Sequence, residues 1–224
     1  MTHLVLPPQT NDDRELHTIR RGLLGGCEVY LSRRERFPVR SGVYERELRS
    51  RFATLAEDCR WFIDVGAGEG FLSAYMLRHT AARVMAFERD PQMGRILLRN
   101  LACNTSESHR IQFYGDTDPA GIAIDRLMNG ERGPVLLKVS TAAGIEQRIL
   151  AGASDLLDRE DTRVIVRLGD RESEAGCMRL LDDHGFSVSL VTPAWWRPVV
   201  RDRSFDPDHI WLVAEKTPFE ILPD

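Results

Sequence analysis

Five short apolar runs recur between Trp61 and Leu168, and their spacing limits the fold more than any other feature of this chain. They are WFIDV at 61–65, RVMAF at 83–87, RIQFY at 110–114, VLLKV at 135–139 and RVIVRL at 163–168. Each suits a buried strand, and helical periods fill several of the gaps. Leu72, Tyr75 and Met76 share one helical face; Met93, Ile96, Leu97 and Leu101 share a second; Ile145, Ile149, Leu150, Ala153 and Leu156 share a third. Asp90-Pro91 offers a capping carboxylate followed by a first-turn proline, and Gly185 terminates a helix carrying Leu180 and Leu181. Such alternation predicts a parallel sheet covered on both faces. The end of the chain departs from it: FSVSLVT at 186–192 and IWLVAE at 210–215 have only a Pro- and Trp-containing connection between them. The expectation is an α/β, Rossmann-like three-layer sandwich, its seven-stranded, mostly parallel sheet closed by an antiparallel C-terminal hairpin.

A length of 224 residues, 42% of them hydrophobic, suits one core, and neither a repeat nor a low-complexity linker divides it. We read residues 1–60 as a lead-in packed on the core and residues 61–224 as the main domain. The lead-in holds eleven arginines against nine acids, so it carries +2 while the whole chain carries −4. Arg33, Arg34, Arg36 and Arg40 crowd together there, which reads as a solvated, salt-bridged face. A net negative charge gives no field to hold nucleic acid, so no nucleic-acid partner is expected. No apolar run approaches the roughly 18 residues of a membrane span, and the first residues lack a targeting pattern, which predicts a cytoplasmic protein without a membrane partner. Cys27, Cys59, Cys103 and Cys177 are scattered and read as reduced thiols. The six histidines show no metal-binding spacing.

The segment Phe62-Ile63-Asp64-Val65-Gly66-Ala67-Gly68-Glu69-Gly70 runs an apolar strand straight into a glycine turn that opens a helix. Glycines there let the chain turn sharply and let a ligand approach the main chain. Eighteen residues beyond Gly70, the second strand ends at Glu88, whose carboxylate can accept from both hydroxyls of a ribose. Loop and acid together point to an adenosine-containing cofactor. A dinucleotide fingerprint would need a third glycine at position 71, where Phe71 stands, and no GxxxxGK[ST] loop is present. NAD and nucleoside triphosphates are therefore disfavoured.

The pattern DVGAGEG resembles the first motif of class I S-adenosylmethionine (SAM) methyltransferases. The resemblance implies that Asp64 helps to hold the amino-acid end of SAM, that Gly66, Ala67, Gly68 and Gly70 make room for it, that Glu88 takes the ribose and that Asp116 accepts from the adenine amino group. Over roughly residues 42–215 the chain also resembles the FkbM-type methyltransferases. The matching pieces are Gly42-Val43-Tyr44-Glu45, Phe87-Glu88-Arg89-Asp90-Pro91, Leu98-Arg99-Asn100, Ile124-Asp125-Arg126-Leu127, Leu137-Lys138-Val139 to Gly144-Ile145-Glu146, Ile149-Leu150-Ala151-Gly152-Ala153 and His184-Gly185-Phe186. That family mostly methylates hydroxyls of small metabolites or glycans, so a small-molecule or glycan acceptor is expected. A homo-oligomer is left open.

The chain departs from the family after the fourth strand. Ser140 stands in place of an Asp, Ala142 and Ala143 surround the expected Glu, and Arg167 follows the fifth strand where another acid is usual. Hydroxyl methylation needs a proton acceptor, and Lys138, one of only two lysines, is the candidate catalytic residue. An ion pair between Lys138 and Glu146 is the competing expectation. Asp118, Asp125, Asp170 and Glu172 are further candidate carboxylates, and Trp195-Trp196 a candidate pocket wall. The missing acids keep open a second reading, a methyltransferase fold that binds or regulates without turnover.

Overall fold

A computed structural model describes residues 13–116, 121, 123–141, 144–192 and 210–216. Seven strands form the main sheet: β3 (Trp61–Val65), β4 (Arg83–Glu88), β5 (Ile111–Gly115), β6 (Val135–Val139), β7 (Thr162–Leu168), β8 (Phe186–Val191) and β9 (Ile210–Lys216). Their order is β5-β4-β3-β6-β7-β9-β8; the first five are parallel, and β9 runs antiparallel between β7 and β8. The seven-stranded Rossmann-like sheet and its antiparallel end are as the hydrophobic pattern predicts. The order in which strands are added reverses at β3, with β4 and β5 on one side and β6 and β7 on the other, and open α/β sheets bind ligands outside the carboxyl ends of strands at such a switch point.

Helices cover both faces. On one, α3 (Phe71–His79) and α4 (Pro91–Asn104) join the lead-in, which folds into a hairpin of β1 (Glu15–Thr18) and β2 (Glu28–Leu31) followed by α1 (Arg33–Ser41) and α2 (Arg49–Ala56). Phe52, Leu55, Leu24 and Leu31 of the lead-in share one cluster with Phe62, Leu136 and Ile165 of the sheet. On the other face α5 (Ile124–Met128), α6 (Glu146–Ala151), α7 (Ser154–Leu157) and α8 (Arg171–Asp183) pack over Trp61, Ile63, Leu137 and Val164. Asp90 caps α4 by accepting from the Gln92 and Met93 amides, with Pro91 in its first turn. Gly185, at φ +78°, follows α8. The third helical period is two short helices rather than one, broken at Gly152–Ala153.

The lead-in is tied to the domain through two buried amides. Asn100 accepts from the Tyr30 amide at 2.7 Å and donates to the Glu69 carbonyl at 2.7 Å; Asn104 accepts from the Glu28 amide at 3.0 Å and donates to the Glu28 carbonyl at 2.7 Å. These side chains give the edge of β2 the partners that another strand would give. They also join α4, the lead-in and the glycine turn.

Candidate functional site

The site starts from the central strands. β3 and β6 are buried along their whole length, and parallel register sets Asp64 opposite Lys138. A buried carboxylate beside a buried ammonium is tolerable only as a pair with its remaining hydrogen bonds made. Lys138 Nζ lies 2.7 Å from Asp64 Oδ1 and donates to the Gly66 carbonyl at 2.8 Å, while Ser73 Oγ donates to Asp64 Oδ2 at 2.6 Å. Lys138 thereby staples the glycine turn to the sheet. The expected Lys138–Glu146 pair is overturned: Glu146 accepts from the Gly144 amide at 2.8 Å, because register brings Asp64, not Glu146, beside the ammonium.

The three loop glycines all have positive φ: +72° at Gly66, +57° at Gly68 and +74° at Gly70. Their missing side chains nevertheless serve different ends. A Cβ on Gly66 would lie 2.0 Å from the Ser140 carbonyl oxygen, and one on Gly70 would lie 2.8 Å from Leu97 Cγ. At both places the missing side chain leaves room for neighbouring protein atoms. Only Gly68 opens on space, with nothing within 4 Å of a built Cβ. Gly66 and Ala67 donate their amides to the Phe87 carbonyl, each at 3.0 Å, fixing the turn against β4.

Glu88 ends β4 half-buried, and backbone amides orient its carboxylate. Gly68 N–H donates to Oε2 at 2.7 Å and Asp90 N–H to Oε1 at 2.8 Å. Asp116 follows β5 in the left-handed region, at φ +52°, and is exposed. Between β4 and β5, Phe87 and Tyr114 stack with centroids 4.6 Å apart.

A cavity of about 270 Å³ opens beside this turn. Asp64, Gly66, Ala67, Gly68 and Lys138 line it together with Ser140 and Arg167, while Gly70, Glu88 and Asp116 do not. The lead-in supplies its roof: Glu35, Pro38 and Val39 of α1, then Tyr44 and Glu45. Glu45 is buried at φ +44° and accepts the Trp211 indole N–H at 2.8 Å; Tyr44 meets the ring of Phe71 edge-on at 5.4 Å. Glu35 is buried too. Desolvation favours its neutral form, but the Ser32 amide and the paired Arg14 guanidinium outweigh it and hold the carboxyl below its ordinary range. Glu35 and Glu45 went unrecognised as wall residues because the lead-in has no helical or strand period strong enough to place it. The quoted Gly42-Val43-Tyr44-Glu45 was the one available signal.

Other candidate acids belong elsewhere. Asp125 accepts from the Asp155 and Leu156 amides, capping α7, and Asp170 caps α8 through the Ser173 amide and hydroxyl. Exposed Glu172 lies in the first turn of α8. Asp118, Ala142, Ala143, Trp195 and Trp196 lie outside the described residues. Cys27, Cys59 and Cys177 are buried and unpaired, with burial raising each thiol to about 12, and Cys103 is half-buried and unpaired. No helix among the described residues is long and apolar enough to cross a membrane.

The fold is an α/β, Rossmann-like methyltransferase fold. The chain superposes on a precorrin-6y C5,15-methyltransferase from Geobacter metallireducens GS-15 with TM-score 0.55 at 18% identity, covering 77% of this chain and 89% of that one. It superposes on an rRNA methylase from Streptococcus thermophilus with TM-score 0.52 at 17% identity, covering 77% and 97%. A third match is Pyrococcus horikoshii TYW2 in complex with the SAM analogue MeSAdo: TM-score 0.55, 17% identity, covering 92% and 71%. No family model and no curated protein matches the sequence.

Proposed function

We propose that this chain is a SAM-dependent methyltransferase of the FkbM type that methylates an oxygen of a small-molecule or glycan acceptor. One observation carries the reading. The Asp64–Lys138–Gly66 bridge locks the glycine turn at the carboxyl end of β3 so that Gly68 faces open space beside a cavity. The residues present fit the cofactor: an adenosyl group needs a main-chain surface free of Cβ atoms and an oriented acceptor for ribose hydroxyls, and Gly68 and Glu88 supply these. SAM supplies a methyl group made electrophilic by a positive sulfur.

Each Glu88 oxygen spends one lone pair on a backbone amide and retains another for a ribose hydroxyl. In this reading Asp116 serves the edge of the adenine, and Asp64, oriented by Lys138 and Ser73, serves the ammonium of the amino-acid end. Acceptors named for the neighbours, precorrin and rRNA, differ widely, so the oxygen acceptor rests on the FkbM resemblance. A second reading, a SAM-binding module without turnover, is favoured by Ser140 and Arg167 in the cavity wall where that family carries acids.

Calorimetric titration with SAM and with S-adenosylhomocysteine tests the proposal. Both should bind, and Glu88→Ala should lose about 1 to 3 kcal/mol of that binding, the scale of hydrogen bonds to a charged group. No heat from either compound at high protein concentration removes the reading.

A further inference from the structure

The lead-in helix α1 has two faces of opposite character. Glu35, Pro38 and Val39 are buried and line the cavity. Arg33, Arg36, Phe37 and Arg40 recur at helical spacing on the other side, where with Ser41 they line a shallow surface depression. The expectation of a salt-bridged face holds for one of these arginines: Arg36 Nη2 lies 3.0 Å from the carboxylate of Glu15 on β1. Arg33, Arg34 and Arg40 are exposed, with no ion pair or side-chain hydrogen bond among the described residues. The turn that carries exposed Arg20 and Arg21 packs against the same end of α1, so closely that a Cβ on Gly22 would lie 2.4 Å from Gly42 Cα. The one acid of α1, Glu35, is turned inward. The local field is positive in spite of Glu15. His17, also on β1, is held below its ordinary value by burial and then by the charges of Arg36 and Arg40, with Glu15 opposing them. The chain's net charge of −4 is an average, whereas a docking polyanion meets the local field. Phe37 stands in this row with 66% of its surface exposed, more than any other large hydrophobic residue described.

We propose that the outer face of α1 docks single-stranded nucleic acid, with Arg33, Arg34 and Arg40 on its phosphates and one base stacked on Phe37. Guanidinium forks match phosphate oxygens, and an exposed ring among cations is how sequence-tolerant single-strand sites hold a base. From Arg33 to Arg40 the helix rises about 10 Å, which spans about three nucleotides at ~3.4 Å each. A lipid surface fits this face less well, because the apolar residues of α1, Pro38 and Val39, are buried and leave Phe37 alone to enter a bilayer. A duplex also fits less well, since its bases are stacked on one another and closed to Phe37. The proposal is independent of the cofactor and of the acceptor in the cavity. Arg33, Phe37 and Arg40 do not line that cavity, and its carboxylates lie behind the helix.

The test is fluorescence anisotropy of the full chain with a labelled, mixed-sequence RNA strand of about 12 nucleotides, titrated at several salt concentrations between about 50 and 200 mM. Binding is expected with Kd in the range of about 1 to 100 µM, and the logarithm of affinity should fall against the logarithm of salt with a slope near −2, about 0.7 for each of three phosphates neutralised. Arg33→Gln combined with Arg40→Gln should bring that slope to about −0.7. Phe37→Ala should weaken binding about 5- to 100-fold, the scale of one lost base stack, while leaving the slope unchanged. Phe37→Trp keeps a stacking face and should retain the affinity, which separates loss of the ring from loss of the fold. Vesicles of phosphatidylserine and phosphatidylcholine are the rival partner. Absence of RNA binding at the lowest salt overturns the proposal. So does full retention of binding by Phe37→Ala, which would mark a surface for any polyanion, and so does a slope that the double arginine variant leaves unchanged. Binding of the vesicles without binding of the RNA assigns the face to lipid and overturns it as well.

Discussion

The two halves of one sheet edge treat their acids in opposite ways. Beyond β4 and β5 the edge is open: Glu88 is held by two backbone amides and Asp116 is exposed. Beyond β6 and β7 the edge is roofed by the lead-in, and its acids meet side-chain partners: Lys138 on Asp64, Arg14 on Glu35, Trp211 on Glu45. A backbone amide orients a carboxylate without cancelling its charge, so the open half keeps acids able to receive a ligand's hydroxyls. In the roofed half a cation beside Asp64 and Glu35 offsets the carboxylate charge, while Glu45 accepts from a neutral indole N–H. The same residue type is therefore oriented by the main chain in one half and by side chains in the other.

The largest way to break this contrast is at the staple. Lys138→Met would leave Asp64, with no measurable exposure, as an uncompensated buried charge. A loss of about 3 to 5 kcal/mol of folding stability is expected, read as a fall in Tm on thermal unfolding. Asp64→Asn combined with Lys138→Met should recover most of it, since removing both charges leaves none stranded. If the single variant unfolds like the parent, the ammonium is not a staple.

The glycines sharpen the contrast by crossing two readouts. Gly66→Ala drives a methyl into the Ser140 carbonyl as well as imposing a positive φ, so it should cost about 2 to 4 kcal/mol of stability by denaturant unfolding. Gly68→Ala meets no atom and should cost only about 1 to 2 kcal/mol. The methyl at position 68 enters the space proposed for the ligand, however, so S-adenosylhomocysteine affinity should fall more steeply in that folded variant. Equal stability losses would sink the distinction between packing glycine and ligand glycine.

The strands were legible because buried parallel strands must be continuous apolar runs. WFIDV and VLLKV coincide with β3 and β6 residue for residue, and the others agree to within a residue or two. The glycine turn and Glu88 were legible for a related reason, since a strand end feeding a helix leaves a local signature. The pairing of Lys138 was not legible. It depends on which strands adjoin, and Glu146 is near Lys138 in sequence whereas Asp64 is 74 residues away. The lead-in was equally opaque: β1 and β2 are four residues each, and the partners that place β2 are Asn100 and Asn104, side chains on a helix far along the chain.

The smallest expected effect concerns a buried acid with no cation on it. Glu146 is inaccessible to solvent, and its Oε1 has no hydrogen-bond partner among the described residues. Burial, reinforced by the charge of Asp170, raises its carboxyl above the ordinary 4.5 despite the Gly144 amide. For an acid with a raised folded-state value, the folded chain holds its proton to higher pH than the unfolded one. Stability should therefore be fullest below the unfolded value and decline as pH rises through the folded value. Glu146→Gln removes this charge while keeping an oxygen for the Gly144 amide. The variant should match the parent in acid and gain on it as pH climbs toward neutrality, followed by urea unfolding across that range. The gain is bounded, because the parent can always escape the full cost of a buried charge by taking up a proton. The Lys138 variant stands at the other end of the scale because it takes from Asp64 a cation 2.7 Å away, whereas Glu146 has no such partner to lose. A parent that instead gains on the variant toward neutral pH would show that Glu146 has a cationic or donor partner after all.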